Sequence, residues 1–371
     1  MKKLKKLCLI VLTFFLFSTL NSCKVGRFVV YNFANIKDHR IFPTRQLKAS
    51  TTEFEFPVAE KGRVPVSLTL HGETYSFEDY IKKNKTVAFL IIENDTIQYE
   101  NYWRKYEEAS VVASFSMAKS ITSILVGIAI DEGYIQSVNE PITNYVPELK
   151  ENGFDVVTIE HLLQMTSGIK FNESYYNPFG DAATYYYGTN LRKEITKMKL
   201  QREPGEKFRY SSGDTQLLGL VLERALKDKT LTAYLEEKLW QPLGMEFDAS
   251  WSLDRKKNGL EKTFCCINAT ARDFAKIGRL YLNKGKWKDR QIVSETWVAQ
   301  STKIDTTNGS TAKYQYQWWL PSKESGEFMA KGILGQYIYV HPKKNLIIVR
   351  LGKNEGKANW ENVLTSLGKG Y

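Results

Sequence analysis

In the segment Ser114-Phe115-Ser116-Met117-Ala118-Lys119-Ser120, strand chemistry gives way to helix chemistry. The run leading into it, Val111-Val112-Ala113-Ser114-Phe115, is apolar and strand-like. After Ser116 the apolar residues fall at 117, 121, 124, 125 and 128, which is helical spacing, and the run stops at Gly133. Residues i and i+3 share a helix face, so the Lys119 amine can reach the Ser116 hydroxyl. A serine at a helix start also lies beside unpaired N–H groups and the positive end of the dipole, which would stabilise a developing alkoxide. Burial of Lys119 would lower its pKa towards neutrality and make it a competent base. Three other segments share the Ser-x-x-Lys pattern: Ser167–Lys170, Ser310–Lys313 and Ser366–Lys369. They lie in a loop-like stretch, a polar run and the chain end. Only Ser116 opens a long apolar helix directly after a strand.

The flanking sequence sets the fold class. Phe77 to Lys85 has the pattern of a short helix, and Val87–Ile92 and Ile97–Trp103 have that of strands joined through Asn94-Asp95. Helices are expected at Ile159–Met165, Gln216–Leu226 and Ala233–Trp240, and from Thr270 to Leu282 with Asp273 completing the helix start. Strands return at Tyr316–Leu320, Phe328–Ile333, Tyr337–His341 and Leu346–Leu351, before a last helix at Asn359–Leu367. This order predicts an α+β fold. An antiparallel sheet is built from the N- and C-terminal strands with flanking helices, around a mainly helical middle region at about 140–260. The expected organisation is a leader at 1–22, an N-terminal tether at 23–75 that packs along the body, and a main domain at 76–371.

The 371 residues are 43% hydrophobic and 25% charged, the composition of a folded globular chain. The formal charge is +11, and four of those positives, Lys2, Lys3, Lys5 and Lys6, lie in the first few residues, ahead of any acid. Elsewhere lysines alternate with acids, so no basic block points to nucleic acid. Lys2–Lys6 and the apolar run Leu7–Leu20 form a secretory leader, too short for the roughly 20 residues of a membrane span. It ends in Leu20-Asn21-Ser22-Cys23, which resembles a bacterial lipobox. That implies export, and lipidation of Cys23 as an anchor to a bacterial membrane in the cell envelope. Cys8 lies in the leader, and the remaining cysteines, Cys265 and Cys266, are adjacent and are expected to be buried free thiols. No metal-ligand spacing occurs, and no metal or organic cofactor is expected.

A Ser-His-Asp triad finds little support. The four histidines are His39, His71, His161 and His341, and no Gly-x-Ser-x-Gly elbow exists. His161 and His341 have the setting of structural residues. A serine hydrolase without an evident histidine must use Lys or Tyr. At this point the motif around Ser116 resembles the nucleophile motif of the β-lactamase/penicillin-binding-protein superfamily. The nearest branch is the class C-like serine hydrolases, including esterases and 6-aminohexanoate-dimer hydrolases. Glu160-His161-Leu162-Leu163-Gln164-Met165-Thr166-Ser167-Gly168-Ile169, Phe208-Arg209-Tyr210-Ser211-Ser212, Ala269-Thr270-Ala271-Arg272-Asp273 and Gly332 to Gln336 follow in that family's order. The resemblance runs from about residue 87 to 352. It implies Ser116 as nucleophile, with Lys119 and Tyr210 as a shared proton system in which either could take the serine proton. It also implies an oxyanion hole from the N–H groups of Ser116 and Ile333, with Ser212, Gly332, Tyr175 and Asn268 lining the substrate cleft.

Two departures bear on substrate. Ser212 stands where the family usually has Asn. Ala330-Lys331-Gly332 replaces Lys-Thr-Gly, and strand alternation turns Lys331 away from the face shared by Ala330 and Gly332. The cation that would grip a penicillin or D-Ala-D-Ala carboxylate then leaves its expected place. An esterase or amidase acting on a small-molecule or peptide substrate therefore ranks above a β-lactamase or DD-peptidase. A silent envelope-binding protein is the reading of another class. The aromatic stretch Phe171 to Tyr187 would lie over the cleft, or pack on its own rings. Oligomeric state is not readable.

Overall fold

The computed structural model describes residues 24–31, 33–322 and 324–371. The expected leader and Cys23 lie outside them. The described residues open with a helix, α1 (Lys24–Tyr31), and a short strand, β1 (Thr44–Leu47). Helix α2 (Phe77–Lys83) starts at Ser76, whose hydroxyl accepts from the Asp79 N–H. Strands β2 (Thr86–Glu93) and β3 (Thr96–Tyr102) follow as a hairpin. Asn94 and Asp95 turn it at φ 50° and 59°, and short polar side chains tolerate that region best.

Next come β4 (Val112–Ala113), α3 (Met117–Asp131), α4 (Asp181–Tyr187) and α5 (Ser212–Ala225). Then follow β5 (Ala249–Ser252), β6 (Ile267–Ala269) and α6 (Ala271–Leu282). The C-terminal part supplies β7 (Tyr314–Gln315), β8 (Trp318–Trp319), β9 (Phe328–Gly332), β10 (Gln336–His341), β11 (Leu346–Gly352) and α7 (Trp360–Gly370).

The main sheet runs β7-β8-β9-β10-β11-β2-β3, antiparallel throughout. N- and C-terminal strands meet between its fifth and sixth positions, where Ile347 pairs Ile92 and Val349 pairs Leu90. Along β2, Leu90 and Ile92 enter the larger core with α3 and α6, whereas Phe89 and Ile91 pack with Phe77, Ile81, Trp360 and Leu364. Apolar layers on both faces explain why β2 is a continuous apolar run rather than an alternating one. A second sheet, β1-β5-β6-β4, holds the strand that leads to Ser116. The α+β class and the sheet built from both chain ends are as expected.

Several details differ. The strand expected at Tyr316–Leu320 is a tight hairpin of β7 and β8, with Tyr316 and Gln317 at φ 38° and 70°. Its tip is bound inward: Gln317 Nε2 donates to the carbonyls of Leu162 and Leu163, and the Gln317 carbonyl accepts from Ser120. The helix expected to Met165 stops at Leu163, and Met165 takes φ 60°. The residues assigned to a tether place β1 in the second sheet, and α1 packs on α4. Cys265 and Cys266 are not free thiols but a vicinal disulfide, with sulfurs 1.97 Å apart. Cys266 at φ 73° supplies the sharp turn that lets neighbouring side chains converge.

Candidate active site

Three chain segments converge on Ser116. The first is its own. Ser114 Oγ accepts from the Ile267 N–H at 3.1 Å, pinning the end of β4 to β6. Phe115 then takes φ 45°, uncommon for a residue with a side chain, and turns the backbone into α3. Ser116 sits at the N-cap yet makes no side-chain cap bond, so its hydroxyl is left for other partners. The second segment is the end of β9. A Cβ on Gly332 would lie 2.4 Å from the Ser114 carbonyl and 3.2 Å from the Ser116 nitrogen. Only glycine allows this approach, which brings the Ile333 backbone beside the start of α3. The third is the entrance of α5, where Ser211 caps the helix by accepting from the Asp214 N–H. That fixes Tyr210 just ahead of it, its ring against Trp319 and Tyr314 at centroid distances of 5.6 and 5.9 Å.

Lys119, 1% exposed, donates to Ser116 Oγ at 3.1 Å, to Ser212 Oγ at 3.1 Å and to the Phe264 carbonyl at 2.8 Å. Its three protons are thus fully directed. Burial drives its pKa down to about 8, against the pull of the Glu173 and Asp214 carboxylates. The Tyr210 ring lies 5.1 Å from the Lys119 amine, and its phenol borders the same hollow as the Ser116 hydroxyl. Burial pushes that phenol well above its ordinary value, and Glu173 adds to the effect, while the nearness of the Ser116 hydroxyl eases its ionisation. Buried Asp214 is pushed up to about 7, chiefly by burial.

Glu173 escaped sequence reading. Its carboxylate accepts from the Ser212 N–H at 2.8 Å and the Ser212 hydroxyl at 2.5 Å, and Tyr175 donates to it at 2.7 Å. A continuous chain therefore runs Ser116, Lys119, Ser212, Glu173, Tyr175. Glu173 stands among exposed aromatics in a segment without periodicity. The only available signal was an acid two residues before Tyr175, which no local pattern makes informative.

The site opens into two hollows. One, of about 530 Å³, reaches Ser116, Ser212 and Ile333. The other, of about 120 Å³, is bordered by Ser116, Tyr210, Gly332 and Ile333 and by the charged Lys331 and Glu355. A sequence model of the beta-lactamase family matches residues 77–360. The chain belongs to the beta-lactamase family. The 6-aminohexanoate-dimer hydrolase of Paenarthrobacter ureafaciens is 29% identical over 295 residues, 74% of either chain. A Bacillus anthracis structure provisionally named as the same hydrolase superposes with TM-score 0.79 at 25% identity, covering 90% of this chain and 91% of that one. A family VIII carboxylesterase superposes at TM-score 0.63 and 18% identity, covering 79% and 94%. The protein is accordingly a hydrolase of the serine beta-lactamase fold, on the branch that holds these hydrolases.

Within that family frame the structure gathers Ser116, Lys119, Tyr210, Ser212, Gly332, Ile333 and Tyr175 around one cleft. Asn268 is not among them. It is fully buried in β6, donating to the Ser250 and Ser252 hydroxyls, so it ties β6 to β5 instead of lining the cleft. Its place one residue before a recurring motif gave no sign of which face it takes. Lys331 lies over the Trp319 ring at 5.3 Å and 3.7 Å from Glu361, while Ala330 points into the larger core. His161 completes a capping box, its Nδ1 accepting from the Thr158 N–H.

Proposed function

We propose that this hydrolase cleaves an ester or amide bond through an acyl-enzyme on Ser116. The observation that carries the reading is the Lys119 amine, buried and hydrogen-bonded to the Ser116 hydroxyl, with the Tyr210 ring 5.1 Å from that amine beside the same hollow. Burial acts oppositely on the two partners. It favours neutral amine on Lys119 and neutral phenol on Tyr210. Lys119 therefore takes the Ser116 proton as Oγ attacks the carbonyl carbon, and Tyr210 protonates the departing alcohol or amine. The N–H groups of Ser116 and Ile333 hold the tetrahedral oxyanion, each donor worth roughly 3–4 kcal/mol. Water then attacks the acyl carbon, its proton returns through the same pair, and the carboxylic acid leaves with Ser116 restored.

Esterase or amidase chemistry ranks above penicillin or D-Ala-D-Ala hydrolysis because Lys331, although it borders the smaller hollow, is engaged there with Trp319 and Glu361. The 6-aminohexanoate dimer belongs among the amides to assay. The test is labelling by a fluorophosphonate probe with turnover of p-nitrophenyl acetate. Ser116→Ala should lose both while the thermal midpoint holds. Wild-type turnover in that variant refutes the assignment, and a chain that no acylating probe labels is the silent scaffold. Saturable nitrocefin hydrolysis would restore the β-lactamase reading.

We also propose export and lipidation at Cys23, motivated by the leader Lys2–Leu20 and the sequence Leu20-Asn21-Ser22-Cys23. Cys23→Ser should move the protein from the membrane to the soluble fraction. A variant that stays membrane-bound refutes the anchor.

A further inference from the structure

The two hollows meet Ser116 from different sides, and they differ in chemistry. The smaller one contains Tyr210. The larger one does not; it runs instead from Ser116 past Phe115, Phe264 and Ala183 to α1 and the aromatic loop ahead of α4. Among the described residues lining it, Glu355 is the sole acidic or basic one. Its far wall comes from outside the stretch that matches the family: Phe28 of α1 packs edge-on against Tyr187 at 5.5 Å. At the mouth, Phe33 meets Tyr176 at 5.8 Å, and the two rings are 51% and 79% exposed. The phenols of Tyr175 and Tyr186 are engaged on Glu173 and Asp38, which leaves the buried, unpartnered Tyr187 hydroxyl as a polar point in a wall otherwise made mostly of ring and aliphatic surface. Its volume falls within the ~300–1,000 Å³ of ordinary ligand pockets.

The departing group must lie where Tyr210 can protonate it, which is the smaller hollow. The acyl portion is then left with the larger one. We propose that this cavity is an acyl-chain site, and that the favoured substrates carry a linear, uncharged, apolar acyl group on a small leaving group. The N-terminal helix is thereby part of the specificity wall and not only a connection to what precedes it. The inference rests on the Ser116 reaction proposed above, and it fails separately from it.

The experiment is a series of ethyl esters from acetate to decanoate, followed by pH-stat on the full chain. kcat/KM should rise roughly fourfold per added methylene until the cavity is filled, as expected when each CH₂ leaves water for an apolar site. Moving the chain to the alcohol should gain little, so ethyl octanoate should outrun octyl acetate by at least tenfold. Ala183→Leu, which narrows the cavity, and Phe28→Ala, which removes its outer wall, should each cut the octanoate-to-acetate ratio at least fivefold. Thermal melts check that both variants fold. A wild-type ratio within about twofold of unity overturns the proposal, as does preference for octyl acetate or a ratio unmoved in both variants. An ω-ammonium hexanoyl ester faster than ethyl hexanoate also overturns it and makes Glu355 a counter-charge. If fluorophosphonate still labels Ser116 in any of these cases, the acyl-enzyme reading survives. If no ester is turned over and no label is taken, that reading falls first.

Discussion

The corner that holds Ser116, Lys119 and Tyr210 and the wall made by α1, the aromatic loop and α4 face the same space but are built by different physics. The corner is polar, and the amine at its centre is buried and fully hydrogen-bonded. Its amine has three fixed acceptors, and its serine is set by a left-handed turn at Phe115 and a glycine contact from β9. The wall is apolar and partly open, held by ring contacts such as Phe28–Tyr187 and Phe33–Tyr176. Directional bonds leave little choice of residue type, whereas ring packing accepts many combinations. Chemistry and specificity should therefore separate: changes in the corner should slow every ester alike, and changes in the wall should act according to chain length.

The strongest attack on that division is Lys119→Met, which keeps the volume and removes the amine. kcat/KM should fall roughly 10²–10⁴-fold, the usual worth of a positioned general base, and by the same factor for acetate and octanoate. Stability should change little, because relief of the buried charge offsets the loss of the donor to the Ser212 hydroxyl and the Phe264 carbonyl. A loss confined to one chain length would mean that the corner also selects the acyl group. Next in size is Gly332→Ala. The new Cβ would press on the Ser114 carbonyl, which is backbone and cannot swing aside. Strand β9 must retreat from the start of α3, spreading the two N–H groups of the oxyanion hole. The expected loss is about 10²–10³-fold in kcat with KM little changed. Full activity in the Gly332→Ala variant would show that the oxyanion is held elsewhere.

The same division explains what the sequence disclosed. Two side chains three residues apart share one helix face, so the Ser116–Lys119 contact was visible as local spacing. The sheet was visible because β2 and β9–β11 are apolar runs bounded by turn residues, such as Asn94-Asp95 at the first hairpin. Asn268 was misplaced because facing depends on register: in the second sheet it lies opposite Ala113 and Ser250, and its side chain goes to β5. The disulfide was missed because bonding of Cys265 to Cys266 depends on a φ value that no neighbour dictates. Phe28 and Phe33 were assigned to a tether because contact with α4 and the aromatic loop spans about 150 residues of chain and leaves no periodic trace.

Glu173 tests whether the two regions are separable at all. It stands on the aromatic loop, yet its oxygens take the Ser212 N–H and hydroxyl, and Ser212 in turn accepts from Lys119. Its negative charge raises the pKa of Lys119 and of Tyr210. The base must be neutral to act, so kcat/KM should climb with pH through a limb centred near the Lys119 value of about 8. Glu173→Gln keeps the shape and removes the charge. The Lys119 pKa then drops further, neutral amine appears at lower pH, and the limb moves in the acid direction. The plateau should fall only about three- to tenfold, the scale of one weakened charge-assisted hydrogen bond. A purely structural role for Glu173 would lower the plateau and leave the limb in place. A limb that moves for octanoate and not for acetate would mean that the loop reports chain occupancy to the base, and the two regions would then be one.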